Sequence, residues 1–257
     1  MKPIALLSVI VLLSTQQLLA QAPLASQVYV WSKSPEAKTS TGTRKEIFAG
    51  SGAILSKHAV AAVSISKNKT ITYQADPTGD ELFFIIKDGP VTVHLNNQHT
   101  QLDRGSVVVV LPGDEVSIEN KSDKEAAVYE MRYHSIAPPD AVRGKKAGTS
   151  FMMDWKDMVF KPHDKGGVRQ LFDRQTVMFN RFDIHVTQLN QGLKSHDPHT
   201  HKNEEIILML EGNAEMQIST DHQKANPADV VLLGSNVLHN LSNIGNTPCL
   251  YFAIQWN

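Results

Sequence analysis

His199-Thr200-His201-Lys202-Asn203-Glu204-Glu205, with His239 further along the chain, is the stretch that decides how this sequence folds. Two histidines separated by one residue point to the same side only on an extended strand, where side chains alternate between faces. Glu205 follows His201 by an even step and joins that side if the strand runs on. Glu204 then points away and is not counted with them. His239 has to arrive from another strand. Three neutral imidazoles and one carboxylate converging inside a barrel make a borderline-to-hard donor set. Such a set suits Zn, Mn, Fe, Ni or Cu rather than Ca or Mg. His-x-His alone is a common surface pattern; the spaced Glu and the distal His in a turn-strand context lift it to a candidate metal site.

The flanking residues carry a resemblance. Gly192, His199, His201, Glu205 and Gly212 resemble the first motif of the cupins, with one extra residue between Gly192 and His199. Ala228, the turn Gly234-Ser235-Asn236, His239 and Asn243 resemble the second motif. That turn lacks the motif's proline and second glycine, but Asn tolerates the left-handed conformation that Gly would supply. The resemblance implies a double-stranded β-helix (jelly-roll) barrel that binds one divalent transition metal, with His199, His201, Glu205 and His239 as its ligands.

The same pattern is written twice. Trp31 and Trp155 open two similar segments, and a shift of 124 positions lays Leu55 on Phe179, Ile65 on Leu189 and Glu81 on Glu205. After the hairpins the shift becomes 122, so that Ser117 falls on His239. Both copies read as short apolar strands ended by turn residues, at Pro112-Gly113-Asp114 and Gly234-Ser235-Asn236, which implies a sandwich or barrel. The expected fold is therefore all-β, two tandem cupin barrels. Residues 28–134 are expected to form an N-terminal barrel, 135–150 a linker and 151–257 a C-terminal, metal-binding barrel. Mapping the ligands back gives Ala75, Pro77, Glu81 and Ser117, and one carboxylate cannot hold a transition metal by itself. The N-terminal barrel is thus expected to be metal-free, with a structural role or a metal-independent ligand pocket. His58 and His94 read as ordinary strand residues.

Composition narrows the partners. The chain has 257 residues and a formal net charge of -1, with no basic run, which argues against nucleic acid. Lys2 followed by the apolar run Ile4 to Leu13, with Ala20 as a cleavage residue, reads as a signal peptide over residues 1–20, too short for a membrane span. The mature protein is expected outside the cytoplasm and free of the membrane. Cys249 is the single cysteine, so no intramolecular disulfide exists, and it reads as a small buried apolar residue.

Three His and one Glu leave coordination positions open, which separates a catalytic site from a closed structural one. An exported chain loads its metal outside the cytoplasm, where the Irving–Williams order disfavours Fe(II). The leading expectation is a mononuclear metalloenzyme acting on a small oxygenated substrate, a sugar, uronate or keto acid, by Lewis-acid isomerisation, dehydration or hydrolysis. A cupin-type dioxygenase on an aromatic substrate and a non-catalytic small-molecule or metal-binding bicupin stay open beside it. Cupin habit suggests a homodimer. His196 and Asp197 precede the first ligand and are the candidate acid–base residues. His185 is assigned to a solvent face and Gln255 to the cavity. Ile207, Met209 and Leu241 share the ligands' parity and should wall the site.

Overall fold

The computed structural model describes residues 23–257. The leader expected over residues 1–20 lies outside them. Among the described residues no helix is long and apolar enough to cross a membrane. The polypeptide is built almost wholly of antiparallel strands, as its β-branched and aromatic runs dictate. Val107–Val110 and Val230–Leu233 are buried throughout, because each is covered on both faces.

The strands form two double-layered units. In the first, a seven-stranded sheet faces a four-stranded one; in the second, a seven-stranded sheet faces a three-stranded one. Alternation divides each long strand between two cores. Leu82, Phe84 and Ile86 fill the first barrel, while Phe83 and Ile85 point outward. Ile207 and Met209 fill the second, while Ile206 and Leu208 point outward. The outward sets of the two seven-stranded sheets meet in one apolar layer that joins the barrels. At its centre Phe182 is 1% exposed, with its ring 5.2 to 5.9 Å from those of Phe83, Tyr133, Phe172 and Phe179. His58 belongs to this layer too. It is not the ordinary strand residue that the sequence suggested. Its ring stands edge-on between Phe48 and Trp256, and burial holds its pKa down at about 3.

A matched pair of carboxylates clamps the layer. Glu204 accepts hydrogen bonds from the Ala53 amide of the opposite barrel at 3.1 Å and from Trp256 Nε1 at 3.2 Å. Glu81 accepts from the Met178 amide of the opposite barrel at 3.3 Å and from the Tyr133 hydroxyl at 3.0 Å. Both acids sit at the first position of equivalent strands, Glu81–Asp88 and Glu204–Glu211.

This symmetry corrects the alignment of the two copies. Glu81 pairs with Tyr133 as Glu204 pairs with Trp256, and Leu82 pairs with Val110 as Glu205 pairs with Leu233. Val116 lies opposite Leu95 as His239 lies opposite Ile218. Asn120 and Asn243 each donate to two backbone carbonyls of equivalent loops. The true shift is 123 positions in both places, seen in Glu81 on Glu204 and Val116 on His239. The residues standing where Glu205 and His239 stand are therefore Leu82 and Val116, not Glu81 and Ser117. Tyr73, which pairs with Val116, takes the place of His199, while Ala75 and Pro77 lie in the loop beyond it.

Two further expectations change. Residues 135–150 are not all irregular: Ala141–Ala147 is a helix, its first turn capped by the Asp140 carboxylate on the Arg143 amide. The barrels also exchange edge strands. Gln27–Tyr29 pairs with Val230–Leu233 of the second barrel, and Phe151–Met153 pairs with Val107–Val110 of the first. The boundaries drawn at 28 and 151 therefore cut through sheets rather than between them.

Burial raises the Glu81 carboxyl from 4.5 to about 7, against the partial relief given by Thr176, Tyr133 and the Met178 amide. Between these two values the folded chain holds a proton that the unfolded chain has released. Stability should therefore fall as pH rises through that window and level off above it, by something of the order of 3 kcal/mol. Urea unfolding of metal-free protein at several pH values tests this. Glu81→Gln, which cannot ionise, should flatten the dependence; an unchanged slope in that variant would assign it elsewhere.

Candidate metal centre

The second barrel opens on a cavity of about 320 Å³ lined by His196, His199, Glu205 and His239 among others. Its ligand-bearing segments are placed by backbone pairing. His199 and His239 exchange both amide hydrogen bonds, at 3.1 and 3.0 Å, as an isolated bridge. The regular strand begins only at Glu204. His199 and His201 thus sit in a loop tied to the strand His239–Asn243, not on one continuous strand. Asn236 adopts a φ of 59°, the left-handed turn expected of it. Gly212 also has a positive φ, and a Cβ there would sit 2.7 Å from Cys249, so the motif's second glycine is demanded by a close approach. Cys249 itself is buried, as expected.

His201 Nε2 and His239 Nε2 lie 3.3 and 3.4 Å from the same oxygen of Glu205. Gln255 donates to the other Glu205 oxygen at 3.3 Å, and so faces the cavity as expected. Burial alone would raise the Glu205 carboxyl, but the facing His201, His239 and Gln255 outweigh it and hold it at about 2. Glu205 in return raises His201. Burial and the surrounding imidazoles lower His199, keeping its lone pair free at neutral pH.

These residues fit a metal ion. His199 Nδ1 is buried with no partner, and His201 Nε2 and His239 Nε2, also buried, face only the shared Glu205 oxygen without a well-formed hydrogen bond, an arrangement that an ion would satisfy. Two groups of donor atoms lie within 4.8 Å of one another, His201–Glu205–His239 and His196–His199–His239. His239 belongs to both. The outer contacts are those of metal ligands: His201 Nδ1 faces the Asn203 carbonyl at 2.9 Å and His239 Nδ1 faces the Val237 carbonyl at 2.8 Å. A carbonyl only accepts, so each Nδ1 carries the proton and each Nε2 is left free.

The acid–base candidates separate. His196 lines the cavity, its ring 4.0 Å from that of His199. Asp197 is exposed and meets the site through its backbone carbonyl, 3.0 Å from His196 Nδ1, rather than through its carboxylate. His185 does not face solvent: with Thr187 it lines the cavity wall. Ile207 lines the cavity from the same sheet, two strands away, and Leu241 and Met216 line it from the facing three-stranded sheet, while Met209 lies in the inner core beyond the cavity lining. His163 and Lys165 at the mouth had no signal in the sequence, since the hairpin that carries them has no local motif. Lys165 Nζ donates to the Ser195 carbonyl at 3.0 Å.

Comparison with known proteins agrees with this geometry. Residues 185–255 match the family described as cupin domain. No curated protein matches the sequence. Among solved structures, an oxalate decarboxylase of Lactobacillus farciminis in complex with formate is similar, with a TM-score of 0.69 and 11% identity over 91% of this chain and 87% of that one. A putative glyoxylate-induced protein of Pseudomonas aeruginosa gives a TM-score of 0.67 and 14% identity over 86% and 84%. AerE of Microcystis aeruginosa gives 0.64 and 13% over 87% and 97%. At these identities the likeness is one of fold.

Proposed function

We propose, from the premise that this chain is a two-barrel protein of the cupin superfamily, that it is an exported metal-dependent enzyme acting on a small organic acid, a keto acid or sugar acid. The observation that carries this reading is the cavity: three of the four candidate ligands, His199, Glu205 and His239, line it together with apolar side chains and Lys165. His199, His201, Glu205 and His239 would hold one divalent transition ion. Such an ion supplies Lewis-acid polarisation of a carbonyl or carboxylate oxygen.

The chain's own groups do the rest. The Lys165 ammonium attracts a carboxylate to the mouth. His185 and Thr187 offer polar contacts, and Ile207 and Leu241 give the cavity apolar surface from the two facing sheets that excludes water, which strengthens every charge inside. Gln255 fixes the Glu205 carboxylate from behind. Two of the similar structures carry names that mention two-carbon acids, oxalate and glyoxylate, which supports an acidic substrate class. The apolar run near the N-terminus supports export, which cleavage at Ala20 in the exported fraction would test.

Metal-loaded protein should convert at least one acid in an NMR panel of keto acids, dicarboxylates and uronates, and chelation should stop it. Lys165→Ala should raise KM by about tenfold, as for a lost charge-assisted contact, with kcat nearly unchanged. Oxygen uptake with an aromatic substrate, and no conversion of any acid, would favour the dioxygenase instead. Binding of acids without turnover would leave a small-molecule-binding protein.

A further inference from the structure

We propose that His196 is a fifth protein ligand, so that the ion in this barrel is held by four imidazoles and one carboxylate. The inference rests on the metal reading above and deepens it. His196 shares the arrangement of the ligands around it. Its Nδ1 faces the backbone carbonyl of Asp197 at 3.0 Å, as His201 Nδ1 faces Asn203 and His239 Nδ1 faces Val237. All three rings are thereby fixed in one tautomer, with Nε2 left as the free donor. The ligand atoms of His196, His199 and His239 lie within 4.8 Å of one another. The ring of His196 is closer to that of His199, at 4.0 Å, than the ring of His201 is, at 5.3 Å.

The segment bearing His196 is fastened to the ligand strand. The Ser195 amide and hydroxyl both donate to the Leu241 carbonyl, at 2.9 and 3.2 Å. The Asn240 side-chain amide donates to the His196 carbonyl. Lys194 forms a bridge with Ser242. His196 is therefore carried by the strand that supplies His239 and stands on the solvent side of the cluster. Five protein ligands would leave a six-coordinate ion one position, so a substrate oxygen would bind singly unless it displaced His196.

The test uses the full mature chain and zinc alone. Diethylpyrocarbonate labelling, mapped by mass spectrometry, is run on metal-free and zinc-loaded protein, with exposed His99 as the reference. Zinc affinity is measured by chelator competition in the wild type and in His196→Ala. The expected result is one zinc per chain, His196 labelled only without zinc, and a Kd about 10–100-fold weaker in the variant, at least the cost of losing an outer partner of a ligand. Equal labelling of His196 with and without zinc overturns the inference and leaves the metal reading standing. Protection with an unchanged Kd in His196→Ala is shielding, and overturns it as well. No zinc binding by the wild type removes the metal reading and this inference with it.

Discussion

His239→Ala should empty the barrel of metal, taking the content from about one ion per chain to almost none. His239 is 3% exposed and is the one side chain common to both donor groups. Its removal leaves the Glu205 carboxylate facing a hole on one side and takes away the one residue at which the two donor groups meet. Val116→Ala, at the matching place in the first barrel, should leave the content unchanged. Metal analysis of the three proteins after chelator-free purification reads this directly. A second readout is thermal: an ion at a thousandfold excess over Kd stabilises by about 4 kcal/mol, and that increment should vanish in His239→Ala. Full metal retention in the variant would show the ligand assignment to be wrong.

Phe182→Ala should cost about 3–5 kcal/mol, the usual range for truncating a fully buried aromatic. Its ring makes edge or tilted contacts with four others, two of them on the loop and strand flanking it and two from the opposite barrel. The cavity left behind would open in the layer that both barrels share, so the loss should be felt by the whole molecule. Chelated protein should show one transition, lowered by about 2–4 °C for each kcal/mol. Two separate transitions, with only one shifted, would mean that the barrels are not coupled through this layer.

Much of the site was legible because its donors are concentrated in short sequence. His199, His201 and Glu205 fall within one loop and strand start, and His239 follows a turn whose chemistry is visible in Asn236. The apolar runs beginning at Leu82 and Ile206 announce buried strands. The register was harder. Glu81 resembles Glu205 in being an acid before an apolar run, yet it does the work of Glu204. A slip of one residue exchanges the faces of a strand, and two-sided burial removes the alternation that would have revealed it. His185 failed for another reason: its strand alternates Phe182, Ile184 and Val186 against Asp183, His185 and Thr187, and a polar face does not tell whether it meets solvent or a cavity. Ala141–Ala147 is too short for a helical period to emerge, although Asp140 was a readable cap. His163 and Lys165 reach the mouth from a hairpin, and no local pattern says which cavity a hairpin overhangs.

The exchanged edge strands make the molecule indivisible. Gln27–Tyr29 emerges from the ribosome among the first described segments, yet its sheet partner, Val230–Leu233, is among the last. The first barrel completes its hydrogen-bonded edge only when Phe151–Met153 of the second repeat has followed it, and the second borrows its outer strand from the start of the chain. The exchange also means that cutting the gene between the repeats would yield two fragments, each with an open strand edge that invites aggregation. Through a few residues at each end, two similar barrels are joined into a single unit of folding.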